Sequence, residues 1–523
     1  MRGYFTVISP HPDPLPEGEG EGRMHYLVVG SVNNNVGCAL RTVPWASELL
    51  VRGTHPPTLP TLSPQAGRGD IYSLNERELK QDVSSSEKNM DYHVAPGGRL
   101  KGRLRVAGDK SISHRSVMLG ALAEGITHVT GLLEGEDVLC TLAAFRAMGV
   151  LAKGPEQGRL TIQGVGLHGL RPPAQPLDMG NSGTAMRLMA GILAGQAFNS
   201  VLIGDDSLSK RPMKRVSEPL GQMGARIDTN EGGRPPLHIH GRQKLHGIDY
   251  KMPVASAQVK SSLLLAGLYA EGETVVTEPA PTRDHTERML RGFGYDVRVE
   301  GARVSVHGGG KLTACDIDVP ADISSTAFFL VGAAISEGSE LLLEHVGINP
   351  TRIGVINILK LMGADLAIEN AREVGGEPVA DLRIRGSKLK GIPIPEDQVP
   401  LAIDEFPALF IAAACAQGET VLTGAHELRV KESDRIAVMA AGLKRLGIDV
   451  EETPDGIVIQ GGKLSGGDVD SRGDHRVAMA FAMSALRASA PVTIHDCKNV
   501  ATSFPGFVEL AKRAGLAVEV MHV

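Results

Sequence analysis

The sequence predicts an α/β protein in which buried helices lie inside and sheets lie outside, arranged as two similar domains. Three observations lead to this fold class. One unit recurs six times, at a spacing of about 65 to 80 residues. The first helix of each unit is apolar on nearly every side. A single unit cannot cover such a helix alone, so neighbouring units must share a core, and three units per domain give two domains.

The N-terminal residues, before the repeats, are expected to stand apart from this arrangement. Segments such as "SPHPDPLPEGEGEG" are rich in Pro, Gly and charge and show no helix or strand periodicity. They lack the apolar stretch of a secretory signal, and their acidic residues argue against an organelle transit peptide. We therefore predict that residues 1–93 are a disordered or non-native extension, with Met90 as the true start of the protein.

Each of the six units opens with a polar cluster that leads into an Ala- and Leu-rich helix. These segments read "GDKSISHRSVMLGALAEG", "GNSGTAMRLMAGILAG", "ASAQVKSSLLLAGLYAEG", "ADISSTAFFLVGAAISEG", "IDEFPALFIAAACAQG" and "RGDHRVAMAFAMSALRA". A short β-branched strand follows, and then a second helix that ends on Gly, as in "FRAMGV", "LGQMGA", "LRGFGY", "LKLMGA", "LKRLGI" and "AKRAGL". This Gly is predicted to take a left-handed conformation that ends the helix before the next strand.

The change from the first three units to the last three falls near residues 316–325. The strand predicted at 98–106 is expected to lie near the same hinge. We therefore predict a discontinuous first domain, residues 94–107 plus 320–523, and a second domain, residues 108–319. A cleft between two domains is the usual place for a small ligand.

Composition excludes several classes of function. A net charge of −6 and 4% aromatic residues do not favour nucleic-acid binding, and no run of 18 apolar residues predicts a membrane span. The five cysteines lack the spacing of a zinc site or a disulfide framework, which indicates a reducing compartment. We predict a cytoplasmic protein with small-molecule partners.

Cations at the starts of the repeated helices are the main functional signal. A helix N-terminus favours anions, so Lys110 and Arg115 in "GDKSISHR" indicate a bound phosphate or carboxylate, although solvated surface cations would read the same way. "GDKS" is not a Walker P-loop. Recurrence favours a pocket for a polyanion, because further cations occupy corresponding loops: Lys210, Arg211, Arg283, Arg352, Lys431, Arg435 and Arg476.

Two carboxylates stand beside these cations, Asp404 in "IDEFP" and Glu432 in "VKESDR". Either is a candidate general acid or base, or a group that orients a neighbouring arginine. Asp322 is interpreted as a helix N-cap. Three histidines, His114, His285 and His475, have no repeated metal spacing and are assigned hydrogen-bonding roles.

In combination, these motifs identify a family. Residues 94–523 resemble 5-enolpyruvylshikimate-3-phosphate synthases through "GDKSISHR", "GNSGTAMR", "KRPM", "SAQVK", "DEFP", "VKESDR" and "GDHR" in this order. "RDHTE" and "NPTR" resemble the class II, typically bacterial, branch. The resemblance implies two inside-out α/β domains, each of three βαβαββ units, that close on the first substrate. It also implies enolpyruvyl transfer from phosphoenolpyruvate to the 5-hydroxyl of shikimate 3-phosphate, without a metal, a cofactor or a covalent enzyme intermediate.

The resemblance also implies residue roles. Shikimate 3-phosphate would be bound by Lys110, Ser111, Arg115, Ser256, Ala257, Gln258, Arg283, Asp404 and Lys431. Phosphoenolpyruvate would be bound by Lys110, Gly183, Arg211, Gln258, Arg435 and Arg476. Lys110, Asp404 and Glu432 would be catalytic, with Asp404 as proton acceptor and Glu432 as proton donor, although the order of the two carboxylates stays open. The family resemblance favours a monomer.

The chain departs from the wider family in its C-terminal loop. This loop, "NVATSFPGF", lacks the Lys of class I members, so that contact is not carried over. Gly183 leaves room where some class II members have Ala, so glyphosate tolerance is not implied.

Two rival functions remain. A UDP-N-acetylglucosamine enolpyruvyl transferase would share the fold, but it carries a reactive Cys in a loop, and none of the five cysteines here has such a setting. A non-catalytic anion-binding scaffold would explain the cations but not Asp404 and Glu432 among them.

Overall fold

The computed structural model describes residues 90–522 and the backbone of four short strands near the N-terminus. The chain divides into two compact units, residues 1–83 and 84–523, which are described separately. In the first unit, two antiparallel pairs join β1 (Tyr26–Val28) to β4 (Ala39–Arg41) and β2 (Ser31–Val32) to β3 (Asn35–Val36). Apart from these strands, the predicted extension up to residue 89 lies outside the described residues. Residues 90–93, which the prediction included, begin a strand of the second unit.

The six predicted repeats each contribute two helices to the second unit. The first helices of the repeats are α1 (Lys110–Leu122), α3 (Gly183–Ala194), α5 (Ala257–Gly267), α7 (Ile323–Ile335), α9 (Phe406–Ala414) and α11 (His475–Ser484). The second helices are α2 (Glu136–Ala147), α4 (Lys214–Gln222), α6 (His285–Gly292), α8 (Gly354–Leu361), α10 (Arg435–Arg445) and α13 (Phe507–Ala514), with the single turn α12 (Val500–Ser503) before the last. Short 3-10 turns lie at Leu208–Lys210, Glu396–Gln398, His426–Val430 and Ala485–Arg487.

The second unit contains 23 strands between Met90 and His522. They are β5 (Met90–Val94), β6 (Lys101–Leu104), β7 (Glu124–Thr130), β8 (Leu151–Glu156), β9 (Arg159–Val165), β10 (Leu177–Asp178), β11 (Ser200–Ile203), β12 (Arg226–Asn230), β13 (Arg234–His240), β14 (Asp249–Lys251), β15 (Glu273–Thr277), β16 (Val297–Glu300), β17 (Arg303–His307), β18 (Ile317–Asp318), β19 (Glu340–Gly347), β20 (Asp365–Val374), β21 (Glu377–Arg385), β22 (Glu419–Leu422), β23 (Asp449–Thr453), β24 (Gly456–Gln460), β25 (Gly467–Asp470), β26 (Val492–His495) and β27 (Val518–His522).

These strands form six small sheets, one for each repeat. Five have four strands, in the orders β18-β7-β9-β8, β10-β11-β13-β12, β14-β15-β17-β16, β20-β21-β19-β6 and β25-β26-β5-β27, and the sixth is β22-β24-β23. In each four-stranded sheet one pair is parallel and the other two are antiparallel. Two strands that precede the first repeat complete sheets of later repeats, because β6 pairs with β19 and β5 lies between β26 and β27.

The predicted glycine caps are confirmed. The Gly after each second helix has a positive φ, at Gly149, Gly224, Gly294, Gly363, Gly447 and Gly515. A residue with a Cβ is strained in this conformation, which explains why Gly recurs at the same place in every repeat.

The first helices are buried on nearly every side, as their composition predicts. In α7 all 13 residues are buried, and in α9 all nine are buried. The longest helices of the described residues, α1 and α7, have 13 residues, whereas a bilayer span needs about 20. Accordingly, none of the helices described between residues 90 and 522 could cross a membrane.

Buried apolar side chains form two separate clusters. The middle core contains buried residues between Ile112 and Val319, and the terminal core contains those of 92–106 and 321–518. The chain passes from one core to the other twice, at residues 107–109 and 320–322. These two crossing segments are hydrogen-bonded to each other, from Asp109 N to Pro320 O (2.8 Å) and from Asp322 N to Ala107 O (2.9 Å).

Candidate active site

A cavity of about 810 Å³ is lined by side chains from both cores. Twelve of the residues assigned to the site from sequence line it: Lys110, Ser111, Gly183, Arg211, Ser256, Ala257, Gln258, Arg283, Asp404, Lys431, Glu432 and Arg476. Arg115 and Arg435 do not line it, because they are buried behind its wall. Lys210, one of the recurring cations, also lies outside the lining and is exposed.

Helix N-termini surround this cavity because each polar cluster caps the helix that follows. Asp109 accepts a hydrogen bond from Ile112 N (2.9 Å) at the start of α1, and Ser182 accepts one from Ala185 N (3.2 Å) at the start of α3. Ser256 and Asp474 cap α5 and α11 in the same way. The first residues of these four helices line the cavity, so the positive ends of their dipoles favour a bound anion.

Lys110 lies on the wall of the cavity between the two cores. Its Nζ donates to Asp137 Oδ2 at 2.7 Å and to Ser503 Oγ at 2.8 Å. Asp137 belongs to α2 of the middle core, and Ser503 ends α12 beside the terminal core. Ser503 lies in the C-terminal loop whose missing Lys was noted from the sequence, so this loop reaches the cavity through a hydroxyl group instead.

Three arginines meet at the corner of the cavity where α3 begins. Arg211 Nη2 donates to Asn181 Oδ1 (2.6 Å), and Arg187 Nη1 donates to Gln258 Oε1 (2.5 Å). A Cβ on Gly183 would lie 2.9 Å from Arg187 Nη1 and 3.3 Å from Arg211 Nη1. The absence of a side chain at Gly183 therefore leaves the space that both guanidinium groups occupy. Burial, reinforced by Arg211 and Arg215, lowers the pKa of Arg187 to about 10.

Asp404 lines the cavity from the terminal core and lies among four cations. Its side chain contacts Arg283, Lys431 Nζ (3.4 Å) and Arg435 Nη1 (3.3 Å), and Arg476 Nη1 donates to its backbone oxygen (3.0 Å). Burial alone would raise the pKa of Asp404. Lys431, Arg283, Arg476 and Arg435 together hold this pKa well below its ordinary value, so the carboxylate is ionised.

Glu432 is joined to Asp404 through a shared guanidinium group. Arg435 Nη2 donates to Glu432 Oε2 (2.6 Å), and its Nε donates to Asp474 Oδ2 (2.9 Å). Burial would raise the pKa of Glu432, but Arg435 above all lowers it well below its ordinary value. Arg435 is completely buried behind the cavity wall. Its positive charge is compensated there by the three carboxylates that surround it.

Arg115 lies behind the N-terminus of α1. Its guanidinium group donates to Thr286 Oγ1 (2.7 Å), Ser261 Oγ (2.7 Å) and Ser111 O (2.9 Å). Burial lowers the pKa of Arg115 to about 10. Through the bond to its backbone oxygen, Arg115 supports Ser111, which does line the cavity.

The three histidines singled out from sequence are all buried. His114 Nδ1 lies 2.8 Å from Thr141 Oγ1, and His285 Nδ1 lies 2.7 Å from Glu377 Oε1. His475 lines the cavity, and burial lowers its pKa to about 3, as it does for His114. Among the described residues, no group of three or more His, Cys, Asp or Glu side chains is arranged to hold a metal ion.

Sequence reasoning missed several residues that the cavity brings together: Asp137, Asn181, Thr184, Arg187, Arg215 and Ser503. One of them carried a usable signal. Arg187 follows Gly183 by four residues in α3, and residues four apart share a helix face, so it belongs beside the same corner. The role of Asp322 as an N-cap was predicted and is confirmed, since it accepts from Ser324 N (2.9 Å).

Comparison with known proteins gives a consistent result. The family model described as EPSP synthase (3-phosphoshikimate 1-carboxyvinyltransferase) matches residues 94–510. A protein of Methylococcus capsulatus named 3-phosphoshikimate 1-carboxyvinyltransferase is 70% identical over 434 residues, covering 83% of this chain and 99% of the relative. One of Alkalilimnicola ehrlichii with the same name is 68% identical over 430 residues, covering 82% and 96%.

Solved structures agree with these relatives. EPSP synthase from Acinetobacter baumannii is 64% identical and superimposes with a TM-score of 0.77, covering 83% of this chain and all of the other. The fold class predicted from the sequence is thereby confirmed. At this level of identity the likeness extends beyond fold to the family.

Proposed function

The chain belongs to the EPSP synthase family, and we propose that the cavity between its two cores is the active site. As a member of this family, it transfers the enolpyruvyl group of phosphoenolpyruvate to the 5-hydroxyl of shikimate 3-phosphate. The reaction releases phosphate and is a step of the shikimate pathway, which leads to chorismate and aromatic amino acids. One observation carries the proposal. Asp404 and Glu432 both contact Arg435, at 3.3 and 2.6 Å, within a cavity lined by cations.

The two substrates are assigned to different parts of the cavity. Phosphoenolpyruvate is proposed to bind at the corner of Gly183, with contacts from Lys110, Arg211, Gln258 and Arg476. Arg435, which the family resemblance also assigns to this substrate, lies behind the cavity wall and is proposed to act on it through its charge. Guanidinium groups suit the phosphate and carboxylate of phosphoenolpyruvate because they donate two parallel hydrogen bonds. Shikimate 3-phosphate is proposed to bind beside it through Lys110, Ser111, Ser256, Ala257, Gln258, Arg283, Asp404 and Lys431. Arg115, which the family resemblance also assigns to this substrate, lies behind the wall and is proposed to act by supporting Ser111.

The proposed mechanism begins at the 5-hydroxyl group. Asp404 accepts its proton as the oxygen attacks C2 of phosphoenolpyruvate, and Glu432 donates a proton to the methylene carbon. A tetrahedral intermediate results, in which one carbon carries both the new ether oxygen and the phosphate. Loss of a proton from the methyl group and departure of phosphate then restore the double bond. The surrounding cations supply most of the acceleration by position and charge.

The electrostatics of the site suit the two roles differently. Asp404 is ionised in the free enzyme, as a proton acceptor requires. Glu432 is also ionised there, so it must gain a proton before it can donate one. A bound phosphoenolpyruvate would supply negative charge to Arg435 and Arg211, which weakens their effect on Glu432 and raises its pKa.

The proposal is tested with Asp404→Asn, which keeps the size of the side chain and removes its charge. Turnover should fall about 100-fold or more, the usual contribution of a general base, while calorimetric binding of shikimate 3-phosphate changes little. Asp397→Asn, at an exposed position of the Glu396–Gln398 turn, is the control and should behave like the parent. Normal turnover of Asp404→Asn would reject the assignment.

Release of phosphate should also depend on the acceptor. We expect release from phosphoenolpyruvate with shikimate 3-phosphate and none with UDP-N-acetylglucosamine. Release only with the nucleotide sugar would favour the rival transferase, and no release with either would favour the anion-binding scaffold.

The remaining assignments are also proposals. The domain boundaries 94–107 plus 320–523 and 108–319 are supported by the two buried clusters, and closure of the domains on substrate by the site they share. We propose a cytoplasmic monomer. Four free cysteines among the described residues support a reducing compartment, and light scattering coupled to size exclusion tests the monomer.

A further inference from the structure

The two crossing segments between the cores each end at an aspartate that caps a helix. Asp109 caps α1, which packs in the middle core, and Asp322 caps α7, which packs in the terminal core. Gly108 allows the first crossing segment to pass close to Gly131, just after β7, since a Cβ on Gly108 would lie 1.9 Å from Gly131 O. The relative placement of α1 and α7 is therefore set within a few residues.

Arg352 joins both caps through one guanidinium group. It contacts Asp109 through Nη1 and Asp322 Oδ1 through Nη2 (3.0 Å), and Nη2 also donates to Ser324 Oγ (2.6 Å). Glu405 Oε1 lies 3.9 Å from the same nitrogen. The Arg352 side chain is 4% exposed, and the three carboxylates are 2–8% exposed.

Arg352 and Asp109 each favour the charged form of the other. Asp109, Asp322 and Glu405 raise the pKa of Arg352 above its ordinary value, although burial opposes this, and Arg352 holds the pKa of Asp109 below its ordinary value. Removing one member of a buried charge cluster leaves the others uncompensated, which is strongly unfavourable. A lysine cannot replace the arginine fully, because it lacks the planar fork that reaches two carboxylates at once.

The cluster touches the residues immediately beside two groups of the proposed active site. Asp109 precedes Lys110, which contacts Asp137 in the middle core and Ser503 beside the terminal core. Glu405 follows Asp404, and Ser324 links Glu405 to Arg352 by donating to its carboxylate. One guanidinium group thus fixes the backbone next to Lys110 and next to Asp404, which come from different cores.

We propose that Arg352 is a positioning residue that holds Lys110 and Asp404 in register across the cavity by clamping the two helix caps at the crossing segments. This inference rests on the proposed active site. Arg352 also lines the cavity, but its guanidinium group is engaged by Asp109, Asp322 and Ser324, so the proposed role is in the geometry of the reaction rather than in substrate contact. A purely stabilising ion pair, in contrast, would alter unfolding and leave turnover unchanged.

The test combines four variants with one control. Arg352→Met should lower kcat about 100-fold, the usual cost of misplacing reacting groups by about 1 Å, with a smaller change in KM for either substrate. Arg352→Lys should lose less. Arg298→Met, at a side chain that is 71% exposed, is the matched arginine control and should leave kcat unchanged.

Asp109→Ser and Asp322→Ser separate the clamp from the caps. Serine caps a helix about as well as aspartate, so each variant keeps the cap and loses only the ion pair. Each should lower kcat, and Arg352→Met should cost less in either background than in the parent, because the partner is already absent. Small-angle scattering with shikimate 3-phosphate should show reduced compaction in the same variants.

Several outcomes would overturn the proposal. If Arg352→Met lowers the melting temperature but turns over within threefold of the parent, Arg352 only stabilises the fold. If that variant does not fold, Arg352→Lys and Asp109→Ser decide, and parental kcat in both rejects the clamp. Asp404→Asn tests the active site separately. If it loses activity while the Arg352 variants keep parental kcat, the clamp is refuted and the active-site proposal stands.

Discussion

His114 is a buried histidine that stays neutral at pH 7 because burial lowers its pKa. It lies in the first turns of α1 beside Lys110 and Arg115, fully buried. Burial lowers its pKa to about 3; Asp137 opposes this shift, whereas Lys110 adds to it. The imidazole therefore accepts or donates hydrogen bonds without adding charge to a cavity that is already cationic. This agrees with the hydrogen-bonding role expected from the sequence.

The low pKa makes stability depend on pH. The unfolded chain takes up a proton on His114 below pH 6.5, whereas the folded protein does not until about pH 3. Between these values the unfolded state binds more protons, so stability falls as pH falls. From pH 7 to pH 5 this residue should account for about 2 kcal/mol of the loss.

Urea unfolding at pH 7 and pH 5 measures this effect. His114→Gln should reduce the difference between the two pH values by about 2 kcal/mol, and His128→Gln, at an exposed position, should leave it unchanged. An undiminished pH dependence in His114→Gln would contradict the assignment.

Single residues also show the limit of prediction from sequence. Lys110, Arg211, Lys431 and Arg476 were expected around one pocket and do line it. Arg115 and Arg435 share the same motifs but are buried behind its wall. A motif gives the position of a side chain along a helix. Burial depends on the partners that other elements bring, such as Asp474 for Arg435.

At the scale of elements, the structure depends on helices that approach closely. In α3, a Cβ on Gly191 would lie 2.2 Å from Ser262 O of α5. The two helices start at Gly183 and Ala257, so their spacing sets the distance between the two sides of the substrate corner. The sequence predicted both helices from their apolar composition. It gave no sign of which Gly was needed for contact.

Gly191→Ala should therefore be costly despite the better helix propensity of alanine. The added methyl group meets backbone, which cannot move aside as a flexible side chain can, and overpacking of this kind costs about 1–3 kcal/mol. Gly221→Ala in α4 is the control, because nothing lies within 4 Å of its Cβ, and it should be neutral or stabilising.

Thermal unfolding of both variants decides the point. Equal melting temperatures for Gly191→Ala and Gly221→Ala would show that α3 and α5 can separate freely.

At the scale of the whole molecule, three side-chain contacts between the two cores lie at the cavity. Lys110 contacts Ser503 (2.8 Å), Arg283 contacts Asp404, and Arg215 contacts Glu427 (3.4 Å). The repeat count predicted three units per domain. The sequence assigned residues 94–107 to the same domain as 320–523, but it could not predict that β6 would pair with β19 and β5 with β26 and β27, because pairing over such separations depends on packing rather than local pattern.

The position of β5 predicts where the chain can be shortened. A variant that starts at Met90 keeps β5 and should unfold and turn over like the full chain. A variant that starts at Leu100 loses β5, which leaves β26 and β27 without their shared partner, and should not fold stably.

Expression, melting temperature and kcat of both shortened chains measure this difference. Loss of activity in the variant that starts at Met90 would show that earlier residues take part in the enzyme.

The pairing of β5 with β26 and β27 also fixes an order of assembly during synthesis. Buried residues of the middle core run continuously from Ile112 to Val319, so this half can fold while the ribosome is still making the rest. In the terminal core, β6 can pair once β19 (Glu340–Gly347) has been made, whereas β5 lacks its second partner until β27, which begins at Val518, has emerged. Asp404 and Glu432 lie in the terminal core, so the two carboxylates of the proposed active site reach their folded positions last.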